Sequence, residues 1–174
     1  MPVTVTVMEF ALYLSRMNPI SQTELPNELY SGLSAELVGE FRQLEEFRMV
    51  PSGMKLVQLG RLPEHLVIVC SGRVEIRVFS SGQTIPLGTR GAGKVFGLRA
   101  LISGETPETE VICIEDCRVI LIPKKEFLRI LQVYPQIYFA VARIMSSDLA
   151  LAHGFLKNSS RRSLKPGAVP SMNS

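Results

Sequence analysis

The chain has 174 residues, and 46% of them are hydrophobic, which is enough to bury the core of one domain. Its 19 Lys and Arg residues against 16 Asp and Glu residues give a net charge of +3, which excludes a domain-wide basic surface for nucleic acid. No stretch of about 18 consecutive apolar residues occurs, and no Lys or Arg precedes the apolar residues of the N-terminus. We therefore expect neither a transmembrane helix nor a signal peptide.

The cysteines indicate a reducing compartment. Cys70, Cys113 and Cys117 are odd in number and too sparse for a disulfide framework. Cys113 and Cys117 are four residues apart, but no second Cys/His pair is placed to complete a zinc site. We predict ordinary buried thiols, no metal site, no cofactor and a cytoplasmic protein.

Residues 1–33 are predicted to form an N-terminal helical and linker segment. An apolar stretch favours a short helix within residues 8–17. Pro19 and Pro26 then interrupt regular structure, because the residue before a proline disfavours the helical conformation.

The next predicted element is a helix over residues 34–42. Ser34 is a suitable N-cap, since its hydroxyl can accept a hydrogen bond from the first turn. Leu37 and Phe41 form an apolar pair four residues apart, which puts both on one helix face. We expect this helix to lead into a sheet.

Residues 44–123 carry the pattern of many short strands. Apolar and β-branched runs recur about every 8–12 residues between glycine-containing turns, which is typical of a β-sandwich or barrel. Residues 65–70 read as a strand buried on both faces, and residues 74–79 alternate like a half-exposed strand. Two further strands are predicted over residues 111–114 and 119–122, with Glu115-Asp116 as the turn between them.

Two helices are predicted to follow the strands. One begins at Lys124, and a longer one opens at Pro135 and carries apolar residues at a three–four spacing. Gly154 is a predicted stop, so the C-terminal helix spans 135–156. Residues 157–174 are rich in Ser, Pro, Gly and Asn and are predicted to be a disordered tail.

No set of catalytic residues emerges from the sequence. There is no Gly-x-Ser-x-Gly elbow and no Walker loop, since Gly91-Ala92-Gly93-Lys94 lacks the Ser or Thr after the lysine. His65 and His153 are the only histidines. We predict that the protein is not an enzyme.

At this point the chain resembles the cyclic-nucleotide-binding domain of the Crp/Fnr family. Gly53 and Gly60 match the family's early turns, and residues 71–76 match its Ser-Gly strand start. Residues 93–97 match the approach to its phosphate cassette, and residues 116–127 match its last strand and the helix after it. The resemblance covers about residues 34–150. It implies a mainly β fold with flanking helices, a jelly-roll β-roll (double-stranded β-helix), over residues 34–134.

The resemblance also implies where a ligand would bind. In the family, backbone N–H groups at a short helix hold the cyclic phosphate, an Arg neutralises it, and a carboxylate accepts the ribose hydroxyl. In this chain Leu98 stands at the carboxylate position and Pro107 at the Arg position. The predicted ligand pocket, with this degenerate cassette, comprises Phe96, Gly97, Leu98, Arg99, Ala100, Leu101, Pro107, Glu108 and Thr109.

This departure makes binding of a cyclic nucleotide doubtful, because burying a phosphate without a cation costs several kcal/mol. We predict a non-catalytic regulatory or sensor module that acts through protein contacts or a non-nucleotide effector. One alternative is a genuine cAMP or cGMP sensor with a divergent cassette that uses Arg99 and backbone amides. Another is the effector domain of a transcriptional regulator.

The C-terminal helix is expected to form a homodimer, as the resemblance implies. The predicted seam consists of Val141, Ile144, Met145 and Leu149, which recur at a coiled-coil-like spacing. Residues 157–174 are too few for a helix-turn-helix domain, so we expect no DNA contact from this chain alone. Any other partner, a protein or a small effector, stays unidentified at this stage.

Overall fold

The computed structural model describes residues 26–163, except residue 81. Within them the helices are α1 (Ala35–Arg42), α2 (Leu98–Ser103), α3 (Lys124–Val133) and α4 (Ile137–Ser163). The strands are β1 (Glu46–Val50), β2 (Lys55–Val57), β3 (His65–Ser71), β4 (Val74–Ser80), β5 (Gln83–Arg90), β6 (Val95–Phe96), β7 (Thr109–Cys113) and β8 (Cys117–Pro123). The predicted helix within residues 8–17 lies outside the described residues.

The strands form two four-stranded antiparallel sheets, which confirms the predicted jelly-roll β-roll with flanking helices. One sheet has the order β1-β8-β3-β6 and the other has the order β2-β7-β4-β5. All of the pairings are antiparallel, and both β7–β8 and β3–β4 cross from one sheet to the other. A chain that switches sheets in this way encloses a core between the two sheets.

Strand β3 shows why the sequence folds into two apolar layers. Side chains along a strand alternate between its faces. Val67 and Val69 belong to the apolar cluster between the sheets, whereas Leu66 and Ile68 belong to the cluster beneath the helices. The continuous apolar run at 65–70 is therefore required, because this strand is buried on both faces.

The predicted helix starts agree with the structure, but the predicted C-terminal stop is wrong. The Ser34 hydroxyl caps α1 by accepting a hydrogen bond from the Leu37 amide at 3.3 Å. Helix α4 begins two residues after Pro135 and continues through Gly154 to Ser163. A glycine inside a helix costs only about 1 kcal/mol relative to alanine, so flanking helix formers override it. The tail predicted to be disordered is thus helical as far as residue 163, and the remaining residues lie outside the described part.

None of the four helices described within residues 26–163 is both long enough and apolar enough to cross a membrane.

The turn between β3 and β4 provides a test of the fold. Gly72 has φ +89°, and a Cβ added there would lie 2.6 Å from the Asp116 carbonyl oxygen and 2.7 Å from the Cys117 sulfur. Gly53 has φ +86° with nothing within 4 Å of an added Cβ. We expect Gly53→Ala to lower the free energy of unfolding by about 1–2 kcal/mol, the cost of the left-handed conformation.

Gly72→Ala should lower it by at least about 3 kcal/mol, because the overpacking adds to the same backbone cost. Urea unfolding of the two variants measures the difference. Equal losses would contradict the close approach of the two turns at Gly72 and Asp116.

Candidate functional site

A cavity of about 510 Å³ lies between the β-roll and helix α4. Its wall includes the segment from β6 into α2, the start of β7, the end of β5 and the cavity-facing side of α4. This volume falls within the usual range of small-molecule sites, about 300–1,000 Å³. Its apolar lining residues are Val57, Ile76, Leu87, Val95, Phe96, Leu98, Ala100, Pro107, Val111, Met145, Leu149 and Ala152.

The segment that connects β6 to α2 has the backbone of an anion-binding cassette. Gly97 has φ +87° and caps the N-terminus of α2. A Cβ at this position would lie 3.3 Å from the His65 carbonyl oxygen, so glycine is needed for both conformation and space. The predicted pocket residues Phe96 and Gly97 both line the cavity. At Gly97 the backbone conformation by itself accounts for the glycine.

The cassette side chains that line the cavity include one cation, Arg99. Arg99 is exposed, and its Nη1 lies 3.3 Å from a carboxylate oxygen of Glu105. Leu98 is 4% exposed and presents an apolar side chain to the cavity. Across from it, Pro107 is buried and Glu108 is exposed in the cavity wall. The cassette thus keeps the glycine geometry but carries apolar and acidic groups.

The structure brings together eight of the nine predicted pocket residues and separates one. Phe96, Gly97, Leu98, Arg99, Ala100, Pro107, Glu108 and Thr109 all line the cavity. Leu101 does not, because it is 2% exposed and packs in the apolar cluster beneath the helices. In the short helix α2, successive side chains point about 100° apart, so Arg99 faces solvent while Leu98 and Leu101, three residues apart, both reach the core beneath the helices, and only Leu98 also borders the cavity.

Helix α4 presents only two of the four predicted seam residues to solvent. Val141 and Ile144 are buried in the intramolecular core, at 5% and 2% exposure. Met145 and Leu149 are exposed and line the cavity. The three–four spacing identified the helix correctly, but it marks the face that packs on the roll of the same chain.

Two charged residues of the cavity wall were missed by the sequence analysis. Arg90 ends β5 and is half-buried, and Asp148 projects from α4. Asp148 as a residue is exposed, but desolvation of its carboxyl raises the pKa above the usual 3.8. The negative charge of Glu28 raises this pKa further, whereas the positive charges of Lys94 and Arg90 lower it. Neither residue belongs to a local motif, so only the fold relates them.

An N-terminal turn fastens α4 to the roll. The Arg143 guanidinium donates hydrogen bonds to the carbonyl oxygens of Glu28 at 2.9 Å and Ser31 at 2.5 Å. The Glu28 carboxylate in turn pairs with Lys94, and the Glu28 amide donates to the Gly93 carbonyl at 2.9 Å. Lys94 directly precedes β6, so one short network joins the cavity-forming helix to the strand before the cassette.

The cysteines are structural, as predicted. Cys70, Cys113 and Cys117 are all free and buried. Desolvation raises the pKa of Cys113 to about 12, and burial also raises that of Cys70. Protonated thiols in such surroundings behave as small apolar groups and are poor nucleophiles.

Comparison with known proteins identifies the family of this chain. The model of the cyclic nucleotide-binding domain matches residues 47–134, half of the chain. The chain belongs to the cyclic nucleotide-binding domain family. Among curated proteins, this domain is 25% identical to the cyclic AMP receptor protein of Thermus thermophilus over 122 residues, which is 70% of the chain and 56% of that receptor.

Solved structures share the fold of this cyclic nucleotide-binding domain. The Thermus thermophilus catabolite activator protein superposes with a TM-score of 0.66 at 24% identity, over 77% of this chain and 63% of that one. The c-di-GMP responsive regulator CLP of Xanthomonas campestris gives 0.62 at 22% identity, over 75% and 65%. The cAMP-bound regulatory domain of Toxoplasma gondii PKA gives 0.59 at 26% identity, over 70% and 45%. The domain therefore spans less than two thirds of each of these relatives.

The charge of Asp148 yields a pH-dependent prediction. Its pKa is higher in the folded protein than in the unfolded chain, so its ionised form destabilises the fold. This penalty is absent below the unfolded value of about 3.9 and complete above the folded pKa. We expect Asp148→Asn to be more stable than the wild type at pH 7, with a gain that shrinks as the pH falls towards 4.

Urea unfolding at both pH values measures this gain. The matched control is Asp116→Asn, because the Asp116 Oδ1 accepts a hydrogen bond from the Ser52 amide at 2.9 Å and this carboxylate should give no such gain. An Asp148→Asn variant no more stable than the wild type at pH 7 would contradict the desolvated position of the carboxyl.

Proposed function

We propose that this domain is a non-catalytic regulatory module whose cavity takes a largely apolar effector in place of a cyclic nucleotide. One observation carries the proposal: the only cation of the cassette, Arg99, is paired with Glu105, while Pro107 and Glu108 occupy the opposite side. A cyclic phosphate in this place would meet a carboxylate and apolar side chains. The named relatives are receptors, activators and kinase regulatory domains, which favours a regulatory role.

The apolar lining supports effector binding over a role limited to protein contacts. Leu98 and Pro107 replace the polar groups that the family pattern would place in the cassette. Together with the valine and leucine side chains of the strands, they make a wall that contacts an apolar ligand favourably. A cavity of this volume is more than a packing defect, because protein interiors leave few voids larger than a water molecule.

Calorimetry and thermal unfolding with cAMP, cGMP and cyclic dinucleotides test the loss of nucleotide binding. A true sensor at about 100 times its dissociation constant gains about 2.7 kcal/mol, which shifts Tm by about 5–10 °C for a domain of this size. We expect no heat and no shift at millimolar nucleotide, because no cassette cation is available to the phosphate.

The variant Arg99→Gln separates this proposal from its alternative, the divergent nucleotide sensor. A cAMP-induced shift in the wild type that disappears in Arg99→Gln would mean that the arginine leaves Glu105 to bind phosphate. That result would overturn the proposed function and establish the alternative.

We further propose that the partner of α4 is a second copy of this chain. The solvent-facing residues Phe139, Ala142, Ser146, Leu149 and His153 recur at alternating spacings of three and four, as in a coiled-coil seam. Phe139 is 81% exposed, which is unusual for a phenylalanine on a well-packed helix. This seam is rotated from the predicted one, because Val141 and Ile144 pack on the roll of their own chain.

Sedimentation of an α4 variant tests the dimer. We expect Phe139→Asp to shift the wild-type dimer to a monomer, because it would bury a carboxylate in the seam. Phe79→Asp is the matched control, since Phe79 is a 56% exposed phenylalanine on strand β4 and not on α4. A monomeric wild type, or a Phe139→Asp variant that stays dimeric, would contradict this seam.

A further inference from the structure

We propose that Arg90 binds the charged end of the effector, and that the effector is an apolar molecule with a single carboxylate. This inference rests on the proposed function, because it identifies the chemical class of the ligand in the same cavity. The observation behind it is a half-buried guanidinium in a wall that consists mostly of apolar side chains. The family pattern assigns no role to this position at the end of β5.

The guanidinium of Arg90 has unused hydrogen-bonding capacity. Its Nη1 donates a hydrogen bond to the Thr89 carbonyl oxygen at 2.7 Å, which occupies one of its N–H donors. Among the residues that the structure describes, no carboxylate lies within 4 Å of it. Arg carries five N–H donors in a planar fork that matches a carboxylate with two parallel bonds. A ligand carboxylate would satisfy both the charge and the geometry.

The other charges around the cavity are arranged differently. Arg99 is paired with Glu105, and Lys94 is paired with Glu28. Glu108 is exposed and reaches bulk water, where its charge is well solvated. The Asp148 carboxyl is partly desolvated and lies near enough to Arg90 for the two charges to interact, but the two side chains form no ion pair within 4 Å. Arg90 is therefore the wall cation that is partly withdrawn from water and has no partner carboxylate in the described part of the chain.

The size and lining of the cavity define the rest of the ligand. A cavity of about 510 Å³ with apolar strand and helix residues favours a fused aromatic or medium-chain aliphatic body. A sugar with free hydroxyls would lose its hydrogen bonds to water against this wall, which is unfavourable without polar partners. One guanidinium compensates one negative charge, so a monoanion fits better than a doubly charged phosphate monoester. A cyclic nucleotide is also a monoanion, so its polar sugar, and not its charge, is what this wall disfavours.

Calorimetry of the full chain with matched acid and amide pairs tests the proposal. The probes are naphthalene-1-acetate with naphthalene-1-acetamide, and decanoate with decanamide. We expect each acid to bind the wild type about 10-fold or more tightly than its amide, the usual range for a charge-assisted hydrogen bond to a buried group. Arg90→Gln should abolish this preference, and Arg90→Lys should retain part of it because it keeps the charge without the fork.

Arg129→Gln is the control, because it removes an exposed cation that is ion-paired with Glu126 on α3 and does not line the cavity, and it should leave the preference unchanged. Thermal unfolding without ligand establishes that each variant is folded. If acid and amide bind equally and Arg90→Gln has no effect, the inference is overturned while an apolar effector site stands. If neither member of either pair binds at millimolar concentration, both the inference and the proposed effector site fall. If cAMP binds through Arg99, the proposed function itself is wrong.

Discussion

The packing of α4 on the β-roll is the interaction on which the cavity depends. Ile137, Ala140, Val141 and Ile144 are buried against α1, α3 and the first sheet, and the side chains one turn further along form the cavity wall. Arg143 adds a polar attachment to the turn at residues 28–31. Because that turn also contacts Lys94 ahead of β6, any ligand that moves β6 changes the surface on which α4 rests. These contacts thus join the strand that borders the cavity to the helix that forms its other wall.

The cassette shows how a fold can keep its backbone while its chemistry changes. Gly97 is constrained by its positive φ and by the nearby His65 carbonyl, so the backbone requires a glycine here independently of the ligand in the cavity. The side chains at 98, 99, 107 and 108 bear no such constraint, and here they are apolar, ion-paired or acidic. A shared fold therefore identifies the place where a ligand binds, but the ligand must be argued from the groups in the wall.

Most of the fold could be predicted because it rests on local patterns. The apolar run at 65–70, the alternation at 74–79 and the Ser34 cap each follow from near neighbours along the chain. The site could be predicted only where it follows a contiguous motif, as at residues 96–100. Arg90 and Asp148 are far apart in sequence and meet only when α4 folds over β5, and no periodicity marks either of them. The predicted seam includes Val141 and Ile144, which pack within their own chain, because three–four spacing does not distinguish a face that packs on its own chain from one that meets a partner.

An apolar carboxylate, and not a cyclic nucleotide, is the ligand that we propose for the cavity between the roll and α4. Methyl-resolved NMR of the full chain with Ile, Leu and Val labels measures this directly, since Val57, Ile76, Leu98 and Val111 line the wall. Saturating naphthalene-1-acetate should shift these methyl signals and leave those of Leu37 and Ile122 in the core beneath the helices unchanged. Millimolar cAMP should move none of them. Shifts of the Leu98 and Val111 methyl groups on addition of cAMP, with none on addition of the acid, would contradict the account.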